Sequence, residues 1–168
     1  MSHTLEDFAA RCRAILLADN SSAGREKVCD VVREYLTYPD FIATYLKDDN
    51  PERKVLYEDP DLRFCILGHV YHGAKNSSPH DHGPTWAIYG QAVGTTIMTD
   101  WQAVTPATDD TPGTAKPVRD YELTPGMAYY YEPGVLHSPR REASTKLIRM
   151  EGFDLTGYKR HAYKPVAA

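Results

Sequence analysis

SSPHDHGPTWAIYG, Ser77 to Gly90, places two histidines one residue apart between turn-forming residues and an apolar run. On a β-strand, residues i and i+2 point to the same face, so His80 and His82 would aim two imidazoles at one point. That suits a metal bite. Pro79 before the pair and Gly83-Pro84 after it are backbone punctuation of the kind that re-aims a strand beside a site. Taken alone, a His-x-His pair also fits two surface or core histidines, so its meaning depends on a third ligand elsewhere.

That ligand is offered by TPGMAYYYEPGVLHS, Thr124 to Ser138, where a strand-like run and a Pro-Gly turn lead into His137. If the two elements neighbour one another in a barrel, His137 completes a three-histidine set. Three neutral imidazoles with open positions make a catalytic arrangement rather than a closed structural one. The other histidines have blander readings. His3 and His161 lie near the chain ends and are expected in solvent, while His69 and His72 have opposite strand parity, so at most one faces inward.

The surrounding chain reads as helices followed by strands. Leu5, Phe8, Ala9, Cys12, Ile15 and Leu16 recur at a helical period. Val28, Val32, Tyr35 and Leu36 repeat it after NSSAG, with Ser22 as the expected N-cap, and Phe41, Ile42, Tyr45 and Leu46 follow Pro39. From about Val55 the texture changes to short β-like runs: Arg63–His72, Thr85–Val93, Thr96–Val104, Val118–Thr124, Met127–Glu132 and Lys146–Leu155. A long polar loop is expected from Pro106 to Pro117. Strands without intervening helices point to an antiparallel sandwich or barrel. The expectation is one domain over residues 1–168: a helical segment over 1–50 capping a β-barrel over 51–168.

Composition narrows the function classes. The chain has 168 residues and a formal net charge of −4, which gives no electrostatic footprint for nucleic acid. No apolar run reaches a membrane span, and MSHTLEDFAARCRA has acidic residues where a signal peptide needs an apolar core, so a cytoplasmic protein is expected. Cys12, Cys29 and Cys65 are odd in number and widely spaced, as expected of buried, reduced thiols. Tyrosines outnumber phenylalanines by 12 to 4, which suits a polar-lined cavity as well as a core.

PHDHGPTWAIYGQAVG followed by GMAYYYEPGVLH resembles the two metal motifs of the cupin superfamily, and most closely those of the cysteine dioxygenase-like, or thiol dioxygenase, family. The resemblance implies a mainly β cupin (double-stranded β-helix, jelly-roll) barrel in which His80, His82 and His137 hold Fe(II). It implies a dioxygenase that adds both atoms of O₂ to a small thiol to give a sulfinic acid. The ligand set also suits Zn, Ni or Mn. The family's basic substrate anchor falls at Lys54, with Arg53 adjacent, and its pocket-lining positions fall at His69 and Tyr71. Partners implied are a small-molecule substrate and O₂, with no nucleic acid and no membrane.

Departures from the family pattern bear on the substrate. Trp86 and Ala87 stand where many cupins place a fourth, glutamate ligand, and Ala87 removes the cysteine that some thiol dioxygenases crosslink to a tyrosine. The family's Ser-x-His-x-Tyr network has no counterpart in STKLIRMEGFD; Arg149 lies in that region and is expected at the surface or in an ion pair. Trp86 and Trp101 are expected as core anchors. Two further readings stay open: a three-histidine cupin oxygenase of a diketone or phenol, and a non-catalytic cupin that binds a metal or small ligand.

Overall fold

The computed structural model describes residues 3–168. Helix α1 (Leu5–Ala18) starts at Thr4, whose hydroxyl accepts the Asp7 N–H, and buries Phe8, Ala9, Cys12 and Leu16 as the period predicts. Helix α2 (Ser22–Tyr35) takes Ser21 rather than Ser22 at its N-cap, without a side-chain cap bond. Helix α3 (Pro39–Tyr45) begins on a proline, which fits the first turn because that N–H has no helical partner.

Ten strands follow: β1 (Lys54–Glu58), β2 (Cys65–Tyr71), β3 (Lys75–Asn76), β4 (Ala87–Val93), β5 (Thr96–Thr105), β6 (Gly113–Leu123), β7 (Ala128–Tyr131), β8 (His137–Arg141), β9 (Thr145–Glu151) and β10 (Tyr163–Pro165). They form two five-stranded sheets, ordered β1-β2-β9-β4-β7 and β10-β6-β5-β8-β3. Without the outer strands β1 and β10, the order within each sheet is that of the double-sheet jelly roll, the barrel of the cupins. The expected fold, a mainly β barrel with an N-terminal helical cap, is the one observed.

The first sheet is covered on both faces. Ile66, Ile88, Ile148 and Met150 pack in the cluster that holds the helices, while Ala87, Tyr89, Leu147 and Tyr131 form a second cluster inside the barrel. Double coverage makes β2 and β4 read as continuous apolar runs rather than alternating ones. The helices reach the sheet at Gly90, where an added Cβ would lie 2.6 Å from Val32 Cγ1 and 3.2 Å from the Ile148 carbonyl. A fully buried Asp59 ties α1 to the β1–β2 turn, accepting from Arg13 at 2.5 Å, from the Leu62 N–H at 2.7 Å and from the Tyr57 hydroxyl at 3.1 Å.

Some expectations change. The polar loop ends sooner than its composition suggests, because β6 begins at Gly113; Pro117 sits inside that strand beside a bulge at Asp100/Trp101, where its missing N–H is tolerated. Strand β8 carries Pro139 and two arginines and does not read as a strand, yet it pairs with β5 on one side and β3 on the other. The basic tail near His161 leads into β10, which pairs parallel with β6. His161 is exposed and pairs with Asp109, and His3 is half-buried, stacked on Tyr38 and paired with Asp40. Trp86 is a core residue, while Trp101 is half-buried and donates to the Ser138 hydroxyl. All three cysteines are free and buried, and burial pushes each thiol up to about 12. Among the described residues no helix is long and apolar enough to cross a membrane.

Gly90→Ala should cost about 1–3 kcal/mol through overpacking against α2, a fall of roughly 2–12 °C in Tm for a chain of this size. An unchanged Tm in thermal denaturation would show that the helical cap does not depend on this close approach.

Candidate metal centre

His80 and His82 do not lie on a regular strand, as their spacing had suggested. The chain from residue 81 to 86 is irregular, and the histidines converge by another route. His80 forms an isolated β-bridge with His137: its N–H donates to the His137 carbonyl at 3.0 Å, and its carbonyl accepts the His137 N–H at 2.9 Å. Beyond it, Gly83 adopts φ +59° with the Asp81 carboxylate accepting its N–H at 2.8 Å, a turn that an L side chain would strain. This turn leads into β4 and leaves His82 buried, 2% exposed, against His137.

One ring nitrogen from each of His80, His82 and His137 lies within 4.8 Å of the others, the one such histidine, cysteine or carboxylate cluster among the described residues. His82 Nε2 and His137 Nε2 are 3.1 Å apart. Two nitrogens each about 2.1 Å from one ion, at tetrahedral or octahedral angles, stand about 3.0–3.4 Å apart, so the separation fits a shared metal. The tautomers fit as well. His80 Nδ1 faces the Ser78 carbonyl at 2.9 Å, which can only accept, leaving Nε2 as a free lone pair. Glu151 Oε1 stands 3.5 Å from His82 Nδ1, without a hydrogen bond between them, and its charge favours a proton there, which would free Nε2. Burial pushes His80 down to about 4 and holds His82 and His137 well below the ordinary histidine value. All three are therefore neutral at physiological pH, the form a metal requires.

Strand register supplies the surroundings. On the barrel-facing side, Arg149 of β9 pairs with Tyr89 of β4 and Leu67 of β2, and Glu151 pairs with Ala87 and Cys65. Arg149 Nη1 donates to the Tyr89 hydroxyl at 3.3 Å and Nη2 pairs with Glu151 at 3.0 Å. The Tyr89 hydroxyl in turn lies 2.9 Å from His82 Nε2 and 3.3 Å from His137 Nε2. Arg149 is thus in the expected ion pair, but inside the barrel rather than at the surface.

His80 and Tyr89 open onto a cavity of about 400 Å³ whose wall also carries Arg53, His69, Tyr71, Lys75, Arg141, Arg149 and Arg160. His69 is buried and His72 exposed, as their parity requires. The Tyr71 hydroxyl meets His69 Nδ1 at 2.9 Å, and His69 Nε2 has no partner. Lys54 is apart from this group: it is exposed on β1 and does not line the cavity. Arg53 lines it, with its guanidinium bonded to Asp154 at 2.7 Å and Thr156 at 3.0 Å. Sequence reasoning missed Tyr89, Arg141 and Glu151. Parity could have found them, since Tyr89 shares the face of Ala87, Arg141 that of His137, and a strand as apolar as β9 has charges at Arg149 and Glu151 on one face.

No protein-family model matches the chain, and no curated protein matches it. Solved structures do resemble it. A cupin superfamily protein from Desulfitobacterium hafniense is 11% identical with a TM-score of 0.44 over 64% of this chain and 82% of its own. KdgF from Halomonas sp. is 17% identical, TM-score 0.44, over 62% and 82%. TT1209 from Thermus thermophilus is 14% identical, TM-score 0.47, over 73% and 95%. At such identities the likeness says nothing about activity.

The purified protein should bind about one divalent transition-metal ion per chain, and His82→Ala should abolish that binding while the fold persists by circular dichroism. Glu151→Gln should keep the stoichiometry and weaken affinity about 10–100-fold, as loss of a ligand's outer partner does. A wild type that folds but binds no metal in calorimetric titration would refute the assignment.

Proposed function

We propose that the chain is a metal-dependent oxygenase that takes a small anionic substrate into the cavity beside His80, with a carboxylated thiol as the leading class. Arg141 carries this reading. Its side chain is 3% exposed, its Nε has no partner, and among the described residues no carboxylate lies within salt-bridge distance. It rests instead over the Tyr71 ring, 4.4 Å from the centroid. The neighbouring cations are engaged: Lys75 with Glu52, Arg53 with Asp154, Arg149 with Glu151 and Arg160 with the Asp81 carbonyl. A buried guanidinium without a counter-anion costs several kcal/mol, and a substrate carboxylate would supply the bidentate partner it lacks.

The thiol reading rests on the sequence resemblance; the charge of the cavity supports the carboxylate. The reaction balances as R–S⁻ + O₂ → R–SO₂⁻, a four-electron oxidation of sulfur in which both oxygen atoms stay on the product. A redox-active ion such as Fe(II), when held by the three histidines, supplies the site at which thiolate and O₂ meet. The chain's own residues orient and enclose. Arg141 fixes the carboxylate, so that the sulfur is presented toward His80 rather than to solvent. His69, held neutral chiefly by burial, lines the cavity and has an unpartnered Nε2. If Tyr71 donates to Nδ1, that Nε2 carries the proton and is a donor for an anionic group brought within reach. The polar His69–Tyr71 wall also favours a second class, an enolisable diketone or phenol chelated directly by the metal.

Oxygen uptake by the iron-loaded protein decides between them. Cysteine and 3-mercaptopropionate should be consumed faster than cysteamine, which lacks the carboxylate. Turnover of acetylacetone or a phenol with no response to any thiol would reject the thiol reading, and no uptake with either group would reject the oxygenase.

Arg141→Met should raise KM for a carboxylated substrate at least about tenfold, equivalent to about 1.4 kcal/mol. It should leave Tm unchanged or higher, because an unpaired buried charge is replaced by an apolar chain of similar length. Lys54→Ala, on the exposed face of β1, should leave KM unchanged. A KM that responds to Lys54 and not to Arg141 would move the anchor back to the position the sequence suggests.

A further inference from the structure

We infer that Tyr89 is a fourth metal ligand, its phenolic oxygen completing a three-histidine, one-tyrosine set. The inference rests on the metal centre and is independent of which substrate is oxidised. Three donor atoms make the case: Tyr89 Oη, His82 Nε2 and His137 Nε2 form a triangle with edges of 2.9, 3.3 and 3.1 Å. Donors bound at about 2.0–2.2 Å to one ion are separated by such distances along the edges of its coordination polyhedron. The Ser78 carbonyl holds a proton on His80 Nδ1, and the Glu151 carboxylate, 3.5 Å from His82 Nδ1, favours one there by its charge, which turns the Nε2 lone pairs of both toward the centre. Tyr89 has one proton to offer two imidazole nitrogens that also face each other. A cation at the centre satisfies all of these lone pairs at once.

The neighbours of Tyr89 suit this role. The ring is 2% exposed and held edge-on against Tyr131 and His137, so the oxygen is fixed in place. Arg149 Nη1 donates to it at 3.3 Å, which occupies one lone pair and balances the charge of a bound phenolate. Ligation follows Tyr–OH + M → Tyr–O–M + H⁺, with the proton released to solvent through the cavity that Tyr89 lines. The ligand comes from a position two residues beyond Ala87, on the same face of β4.

The test uses colour rather than turnover. Protein loaded with Fe(II) and oxidised to Fe(III) should show a visible tyrosinate-to-iron charge-transfer band with phenolate modes in resonance Raman. Tyr89→Phe should still bind one iron but lose the band, with affinity lowered at least about tenfold. Tyr131→Phe, beside His137 with ring centroids 4.3 Å apart, should keep the band and controls for general disturbance of the aromatic cluster. A ferric wild type without the band, a band that survives in Tyr89→Phe, or a folded wild type that binds no iron each overturns the assignment. A band that depends on Tyr89 in a protein that consumes no oxygen with any substrate supports the ligand while removing the oxygenase reading.

Discussion

Two reciprocal hydrogen bonds between His80 and His137 hold the site together. They join a loop that precedes β4 to the first residue of β8, elements more than fifty positions apart in the chain. The bridge fixes both Cα atoms, and with them the directions from which the imidazoles approach. His82 is then brought in by the Asp81–Gly83 turn. Because the backbone sets this geometry, the three rings are pre-positioned, and a bound ion would require little further side-chain ordering. The jelly-roll order allows it, since β8 lies between β5 and β3 while the His80 loop runs on from β3.

Charge is distributed unevenly around that centre. Glu151 is a buried carboxylate facing His82, Arg149 and Arg53, so it serves the histidine cluster and the cavity wall together. Arg149 is neutralised by it. Arg141 has no such partner, although it is buried where Arg149 is only half-buried. An unpaired charge is retained against its cost in stability where a ligand supplies the missing counterpart. The contrast between these two arginines, one satisfied within the protein and one left open, is what the proposal of an anionic substrate rests on.

Much of this was legible from residues alone. The helical stripes, the strand texture and the paired motifs around His80, His82 and His137 led to the barrel and its three-histidine cluster. What stayed hidden depended on tertiary context. Strand β8 holds Pro139 and two arginines and forms because neighbours on both sides supply its hydrogen bonds, which no local propensity reveals. His80 and His82 converge through a bridge and a turn rather than through strand parity. Lys54 sits where family spacing places an anchor, yet the side chain faces solvent, while Arg141, four residues past His137, enters the cavity. Tyr89 reads as one more aromatic core residue until the distances to the histidines are known.

X-ray absorption at the edge of the bound metal tests the central claim most directly. The account predicts a first shell of nitrogen and oxygen at about 2.0–2.2 Å without sulfur, and outer-shell scattering from three imidazole rings that falls to two in His137→Ala. A sulfur shell near about 2.3 Å, or an imidazole signal that does not change when His137 is removed, would contradict a metal held by His80, His82 and His137.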